Sequence, residues 1–343
     1  MPPRRGARRS SAPRTAAERA ALSGVREFDL IARIRARIEQ AASRDDVVLG
    51  IGDDAAALRL PEGRLLVVAT DTLNAGVHFP SETAPADIGW KALAVNLSDL
   101  AAMGATPAWC TLSLSMPAAD PAWLDAFLDG FLELATPHRV ALVGGDTTRG
   151  PLSVSVTVHG FAEPQRLLRR DGARIGDDVW VSGTLGDAAG ALRQWRAGRE
   201  RDPALRARLD RPVPRTVLGV ALRGIAHAAI DVSDGLLADL GHACRASGVG
   251  AEVNVDALPA SPALRAAFDD EPRITLQATG GDDYELCFTA PAGMRDAVAA
   301  AAREAGVAAT PIGRIVAGRE VRVLRADGRA CEVAGPAGHV HFD

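Results

Sequence analysis

The sequence predicts an α/β protein of the α+β type, built from two mixed α/β domains. Strand and helix patterns occur together in both halves of the 343-residue chain. Residues 152–161 alternate apolar and polar side chains strictly, as a half-buried antiparallel strand does. A polar, turn-rich segment at residues 162–178 separates the halves, and the alternation of strands and helices restarts after it. The antiparallel pieces favour two domains over one doubly wound sheet.

Three parts are therefore expected along the chain. A basic tail covers residues 1–26, an N-terminal α/β domain covers residues 27–163, and a C-terminal α/β domain covers residues 164–343. The tail holds seven arginines and one glutamate and lacks the apolar stretch of a secretory signal. A disordered tail is favoured over a transit peptide or a nucleic-acid-binding arm.

Hydrophobic periodicity assigns the individual elements. Leu30, Ile31, Ile34 and Ile38 share one helical face and predict a helix over residues 28–42. The same spacing predicts further helices at residues 87–105, 121–135, 187–198 and 214–227, and one after residues 230–235. Apolar or alternating runs predict strands at residues 65–72, 152–161, 178–183, 251–257, 284–290, 311–316 and 321–333, the last a hairpin around Asp327-Gly328.

Charge and cysteine usage exclude several classes of protein. The net charge is −4, and because the tail contributes +6 the rest of the chain carries −10. An acidic body argues against nucleic acid as a partner and suits a protein that gathers divalent cations. The four cysteines show no metal-binding spacing, so reduced thiols are expected. No apolar run reaches spanning length, which predicts a cytoplasmic protein without a membrane partner.

The chain contains a single lysine, Lys91, and every other basic side chain apart from histidine is arginine. A P-loop needs a lysine directly after its glycine-rich loop. Lys91 instead lies in a stretch with helical spacing and no glycine cradle before it. No GxGxxG follows a strand either, so neither a P-loop nor a dinucleotide-binding fold is supported.

Acidic residues recur in loops beside Gly, Ser or Thr, mostly after apolar runs. These loops contain Asp53 and Asp54, Asp71, Asp99, Asp146, Asp231 and Asp234, and Asp282 and Asp283. Each loop alone is better explained by turn or capping chemistry. Several aspartates meeting in one place would repel one another unless cations lay between them. Together they indicate Mg²⁺ and substrate phosphates, and hence a phosphoryl-transfer site without a P-loop.

Seven longer motifs carry a specific resemblance. They are EFDLIAR, LGIGDDAA, TDTLNAGVHF, KALAVNLSDLAAMGA, GGDTTRGPL, DVSDGL followed by ADLGH, and GG followed by DYELCF. In this order they resemble the thiamine-monophosphate kinase family, within the wider group of aminoimidazole ribonucleotide synthetase and selenophosphate synthetase. The likeness runs from about Glu27 to Phe342.

The resemblance implies transfer of the γ-phosphoryl group of ATP onto thiamine monophosphate, with several Mg²⁺ ions. The implied magnesium ligands are Asp54, Asp71, Asp99, Asp146, Asp231 and Asp234. The implied nucleotide contacts are Thr70, Gly145, Asp146, Arg170 and Ser233, and the implied substrate contacts are His78, Asp282 and Phe342. An active site in the crevice between the halves and a homodimer through the N-terminal halves are also implied, whereas a K⁺ requirement stays open.

Two positions depart from the family pattern. Ala69 stands where the family usually has Ser, so a hydroxyl for metal or nucleotide is absent there. Asp282 stands where the family usually has Glu, and one missing methylene shortens its reach by more than about 1 Å. The reaction class is therefore more firmly implied than the substrate preference.

The expected mechanism is direct in-line transfer without a covalent enzyme intermediate. Because a phosphate acceptor is already ionised at neutral pH, the reaction needs positioning and charge neutralisation more than a general base. No histidine or lysine in the acidic loops is available as such a base.

The alternatives are separable by sequence. A selenophosphate synthetase needs a reactive Cys in an N-terminal loop, yet no Cys precedes Cys110, and the related hydrogenase maturation protein needs a C-terminal Cys. An enzyme like aminoimidazole ribonucleotide synthetase needs a lysine-bearing loop after Thr-Asp, which residues 70–79 lack. A non-catalytic protein that binds ATP or thiamine diphosphate remains as an alternative of another class.

Overall fold

The computed structural model describes residues 27–39, 44–198 and 202–333. The tail at residues 1–26 and the predicted substrate contact Phe342 lie outside the described residues. Among the residues that are described, no helix combines the length and the apolar character needed to cross a membrane.

The N-terminal half is built around a four-stranded sheet. Its elements are α1 (Glu27–Glu39), β1 (Val47–Leu49), β2 (Ala57–Leu58), β3 (Leu65–Asn74), α2 (Pro85–Ala102), β4 (Thr106–Met116), α3 (Pro121–Ala135), β5 (Ala141–Arg149) and β6 (Ser153–Ala162). The sheet order is β3-β6-β4-β5. This order places β3 and β5 at the two opposite edges of the sheet. Within the sheet, only β4 and β5 pair in parallel.

Helices α2 and α3 cover one face of this sheet. A Cβ added at Gly89 or Gly130 would lie 2.0 or 1.8 Å from a backbone carbonyl of the facing helix, so only glycine permits this approach. The opposite face stays open along β3, where Leu66 and Val68 are 43 % and 52 % exposed. From Leu66 to Asn74, partly or fully buried side chains of β3 therefore alternate with exposed ones.

The C-terminal half contains a six-stranded sheet in the order β12-β9-β11-β7-β10-β8. Its elements are β7 (Asp177–Ser182), α4 (Asp187–Arg196), α5 (Pro203–Asp210), α6 (Thr216–Ala221), β8 (Ala228–Val232), α7 (Leu236–Ser247), β9 (Gly250–Asn254), α8 (Pro262–Ala267), α9 (Asp270–Thr279), β10 (Glu285–Pro291), α10 (Arg295–Glu304), β11 (Ala309–Val316) and β12 (Val321–Leu324). Only the pair β12–β9 is parallel.

The prediction of two mixed α/β halves is confirmed. The helix expected over residues 214–227 is shorter, because α6 ends at Ala221 and Gly224 then adopts a φ of +77° in the following turn. The expected hairpin at residues 321–333 is reduced to β12 and one antiparallel bridge between Leu324 and Ala330. The boundary at residue 163 falls between the two sheets and stays a prediction.

The two halves are joined by direct contacts from α2 to the C-terminal half. The indole N–H of Trp90 donates to the carbonyl of Pro212 at 2.7 Å, and Arg211 pairs with Asp87 at 2.5 Å. The hydroxyl of Ser98 donates to Asp231 at 2.8 Å. Helix α2 therefore fixes the N-terminal sheet against the strand that leads into the DVSDG loop.

Candidate active site

A cavity of about 750 Å³ lies between the two halves. The N-terminal half contributes the end of β3, residues 77–78 and the C-terminal part of α2. The C-terminal half contributes α4 and the two loops at residues 231–234 and 281–284. The cavity therefore lies in the crevice where the sequence predicts the active site.

Four of the six predicted magnesium ligands line this cavity. Asp71 comes from β3 and Asp99 from α2, whereas Asp231 and Asp234 come from the end of β8 and the loop after it. The sequence separates these carboxylates by up to 163 positions, and the fold brings them to one crevice. This is the acidic cluster that the loops predict.

Burial and the charges of neighbouring carboxylates raise the pKa values of the acids in the cluster. Burial, together with the charges of Asp231 and Asp71, raises the pKa of Asp99 to about 8. Burial raises the pKa of Asp231 to about 6 even though Ser98 donates a hydrogen bond to it. Burial and the charge of Asp234 also raise the pKa of Asp71. The crevice therefore favours a bound cation, because cations stabilise ionised carboxylates.

The DVSDG loop is held by an acid inside the following helix. One carboxylate oxygen of Asp239 accepts hydrogen bonds from the backbone N–H groups of Ser233, Asp234 and Gly235, each at 3.1 Å. These N–H groups would otherwise form an anion-binding nest at the start of α7. Because Asp239 fills that nest, the loop presents its carboxylates to the cavity.

Two polar residues of α2 form hydrogen bonds with acids of the cluster. The side-chain oxygen of buried Asn96 accepts the backbone N–H of Asp71 at 2.9 Å, and its amide donates to Ala92 at 2.9 Å. Two positions further along the same helix, Ser98 donates to Asp231. Helix α2 therefore orients one acid from each half of the chain.

The predicted nucleotide contacts divide between two places. Thr70 and Ser233 line the cavity, and the positive charge of Arg170 acts to lower the pKa of both Asp99 and Asp231. Gly145 lies on β5 with a φ of +154°, and a Cβ there would lie 1.8 Å from the carbonyl of Leu112. The β5 contacts therefore lie apart from the crevice.

Asp54 and Asp146 do not join the cluster within one chain. Asp54 is exposed in the loop before β2, and Asp146 is exposed on β5, at the sheet edge opposite β3. Three strand spacings separate these edges, which is about 14 Å. Ile51, near Asp54 in sequence, lines the same small cavity as Asp146. The two acids therefore belong to one region at the β5 edge.

The described residues do not by themselves complete a metal site. Across residues 27–39, 44–198 and 202–333, no three Asp, Glu, His or Cys side chains are arranged so that they could hold a metal ion. Magnesium commonly takes one or two protein carboxylates and fills its remaining positions with water and substrate phosphates. A sparse set of carboxylates in a crevice fits that chemistry.

Two of the predicted substrate contacts, His78 and Asp282, also line the cavity. The imidazole Nδ1 of His78 accepts the backbone N–H of Asn74 at 3.0 Å. Asp282 adopts a φ of +68° and receives the hydroxyl hydrogen bond of Tyr284 at 3.1 Å. Asp283 accepts the backbone N–H of Gly186 at 2.9 Å and is not among the residues that line the cavity.

Known proteins share this architecture. The sequence profile of the AIR synthase related protein family matches in two parts, the N-terminal domain over residues 52–162 and the C-terminal domain over residues 174–325. The thiamine-monophosphate kinase of Salmonella typhimurium is 50 % identical over 85 % of this chain and 90 % of its own length. The chain belongs to the thiamine-monophosphate kinase family.

Solved structures of this kinase family agree with the assignment. The crystal structure of thiamine-monophosphate kinase from Stenotrophomonas maltophilia K279a has a TM-score of 0.82 and 57 % identity, and covers 89 % of this chain and 98 % of that one. The structure of AaThiL complexed with AMPPCP and TMP has a TM-score of 0.72 and 33 % identity, and the match covers 97 % of this chain and 100 % of that one. The chain is thus an enzyme of the phosphotransferase class.

Sequence reasoning did not assign three residues that shape the site. Asp239 carries the signal of an acid in the first turn of a helix, which the helix dipole favours. Ser98 directly precedes a predicted ligand and lies at helical spacing from Lys91. The sequence context of Lys91 excludes a P-loop, and its occurrence as the single lysine of the chain also indicates a specific role. Each acts through a contact with a residue distant in sequence.

Proposed function

We propose that this protein phosphorylates thiamine monophosphate to thiamine diphosphate with ATP. The observation that carries the proposal is the likeness, at 33 % identity over 97 % of the chain, to AaThiL complexed with AMPPCP and TMP. The cavity between the halves supports it, because its lining contains both the acidic cluster and the predicted substrate contacts His78 and Asp282.

Magnesium is the cofactor that fits the acidic cluster. Asp71, Asp99, Asp231 and Asp234 would hold it, and the bound ion would neutralise charge on the reacting phosphates. The raised pKa values of Asp71, Asp99 and Asp231 support this assignment, since burial and neighbouring carboxylates disfavour their ionised forms and a bound cation would stabilise them. Arg170 adds one fixed positive charge near two of them.

The remaining residues position substrates. Arg170 and Ser233 would contact the nucleotide phosphates, and His78 with Asp282 would contact thiamine monophosphate. The acceptor is a phosphate oxygen that is already ionised, so the transfer proceeds in line without a general base or a covalent enzyme intermediate. The carboxylates within the cavity are needed for cations, and none is required to remove a proton.

A coupled assay of ADP formation tests the function. We expect turnover of ATP with thiamine monophosphate, none with thiamine, and none after EDTA until Mg²⁺ is restored; a K⁺ series settles the potassium requirement. Turnover with an aminoimidazole ribonucleotide precursor instead would contradict the substrate assignment. Positional isotope exchange in ATP without acceptor would contradict direct transfer. Binding of both substrates without turnover would support the non-catalytic alternative.

The open face of the N-terminal sheet supports a homodimer. Leu66 and Val68 are exposed there beside Thr70, in a strand whose other face is packed on helices. A two-fold axis along the strands would set the β5 edge of one protomer over the β3 edge of its partner. That arrangement would bring Asp54 and Asp146 to the acidic crevice of the partner.

A complementation experiment tests the shared site. We expect Asp146→Asn and Asp231→Asn each to be inactive alone, because each removes an acid from every site. If the two acids of a site come from different protomers, half of the dimers in a remixed pair have one intact site, so the mixture regains about a quarter of wild-type activity. A mixture that stays inactive although an untagged variant co-purifies with an affinity-tagged one, which shows exchanged dimers, would place both acids in one protomer.

A further inference from the structure

Lys91 is almost completely buried beneath the proposed substrate end of the cavity, which His78 and Asp282 line. It is the only lysine in the chain and is 1 % exposed. Its ammonium group donates to the carbonyl of His78 at 3.0 Å and lies 3.2 Å from a carboxylate oxygen of Asp282. An ammonium ion removed from water is retained only where it is paired and hydrogen-bonded, and Lys91 has both kinds of partner.

Both partners of Lys91 lie at the substrate end of the cavity. His78 belongs to the N-terminal half and Asp282 to the C-terminal half, so one ammonium group contacts both sides of the crevice. On the same helix, Ser98 makes the corresponding contact in the acidic cluster. Seven residues of helix separate the two contacts, about 10 Å. Helix α2 thus fixes the two ends of the site separately.

Asp282 needs such support because its backbone is strained. Asp282 and Tyr284 both have positive φ, +68° and +50°, which non-glycine residues rarely adopt. The loop is held by backbone hydrogen bonds from Asp282 to Ser233 and from Tyr284 to Val232, both 2.8 Å. Among the described parts of the chain, the side chain of Asp282 is held by Lys91 and the Tyr284 hydroxyl. Since Asp282 is shorter than glutamate, its direction matters more than that of a longer side chain.

We infer that Lys91 is a positioning residue that sets the affinity for thiamine monophosphate, by fixing Asp282 and the His78 segment in one geometry. The inference rests on the proposed function, because it concerns the recognition of the phosphate acceptor at that site. It assigns Lys91 no contact with ATP, since neither of its partners belongs to the acidic cluster.

The test is a comparison of the two Michaelis constants in Lys91→Met, which keeps the length of the side chain and removes its charge. We expect KM for thiamine monophosphate to rise at least about tenfold and KM for ATP to change by less than about twofold. Arg206→Met is the matched control. It removes a positive charge from buried Asp210, which lies outside the cavity lining, so it should lower stability without splitting the constants.

A double-mutant cycle with Asp282→Asn tests whether Lys91 acts through Asp282. We expect Lys91→Met to raise the KM for thiamine monophosphate by a smaller factor in the Asp282→Asn background than in the wild type, because only its contact with the His78 segment is then left to lose. The double variant also removes both charges together, so it should fold even if Lys91→Met leaves too little protein. Additive effects, or an equal rise of both constants, would overturn the inference.

Activity of the wild-type protein distinguishes a failure of the proposed function from a failure of the inference about Lys91. If it does not turn over thiamine monophosphate, the proposed function fails regardless of Lys91. If it does and Lys91→Met keeps the wild-type KM for thiamine monophosphate, only the inference fails. Calorimetric titration of each variant with thiamine monophosphate and with ADP should give the same split as the kinetics.

Discussion

Replacing Asp99 by asparagine is expected to lower kcat by about 10²- to 10³-fold while raising the stability of the metal-free protein. The activity falls because, under the proposed function, one of the carboxylates that would hold Mg²⁺ is lost. The stability rises because burial, together with the charges of Asp231 and Asp71, opposes the ionisation of Asp99, and asparagine does not ionise. A side chain whose replacement stabilises the metal-free protein is expected at a site that binds a cation.

The pH dependence of stability gives the sign of this effect. The pKa of Asp99 is raised from 3.8 to about 8 in the folded protein. Between these values the folded state holds a proton that the unfolded chain has released, so the stability of the metal-free protein falls as the pH rises through this range. The Asp99→Asn protein lacks this titration and should show a flatter profile.

Thermal unfolding in EDTA from pH 5 to 9, with and without added Mg²⁺, measures both quantities. Asp327→Asn serves as a control, because Asp327 is half exposed and lies far from the crevice in the turn after β12. A profile for Asp99→Asn that parallels the wild type, or full activity in this variant, would remove Asp99 from the proposed metal site.

Replacing Asp239 by alanine is expected to destabilise the protein by about 2–4 kcal/mol, because three backbone N–H groups of the DVSDG loop lose their common acceptor. The loop presents Asp231 and Asp234 to the cavity, so the Mg²⁺ concentration for half-maximal activity should also rise about 10- to 100-fold. Urea unfolding and a magnesium titration of activity measure the two effects.

Asp239→Asn is the matched variant, since its side-chain oxygen still accepts hydrogen bonds although the negative charge is gone. It should keep most of the stability and lie between the wild type and Asp239→Ala in magnesium dependence. The role of Asp239 as the occupant of the nest would be refuted if Asp239→Ala matched the wild type in both measurements. A loss of stability with normal magnesium dependence would restrict Asp239 to the fold.

The fold class was predictable because apolar or alternating runs indicate strands in both halves and apolar faces indicate helices. Strand β4 was not predicted because its first part, Pro107 to Cys110, is buried on both faces and shows no alternation. Sequence also gives no strand order. The order β3-β6-β4-β5 is what separates Asp146 from Asp71, although both follow similar apolar runs.

The candidate site was predictable in its residue types and only partly in its assembly. Asp71, Asp99, Asp231 and Asp234 meet as the repeated acidic loops suggest. The contact of Lys91 with Asp282 joins residues 191 positions apart, and no local pattern specifies such a pair. Likewise, the acceptor role of Asp239 depends on the turn that brings three N–H groups to one oxygen.

The burial of a single lysine has a practical consequence for handling the protein. Amine-directed labels would react with the folded chain at its α-amino group, because the ammonium group of Lys91 is shielded. A lysine-specific endoprotease would find one cleavage point, at the peptide bond after residue 91, and would reach it only when helix α2 comes apart. The appearance of two fragments over time would therefore report the opening of that helix without any engineered reporter.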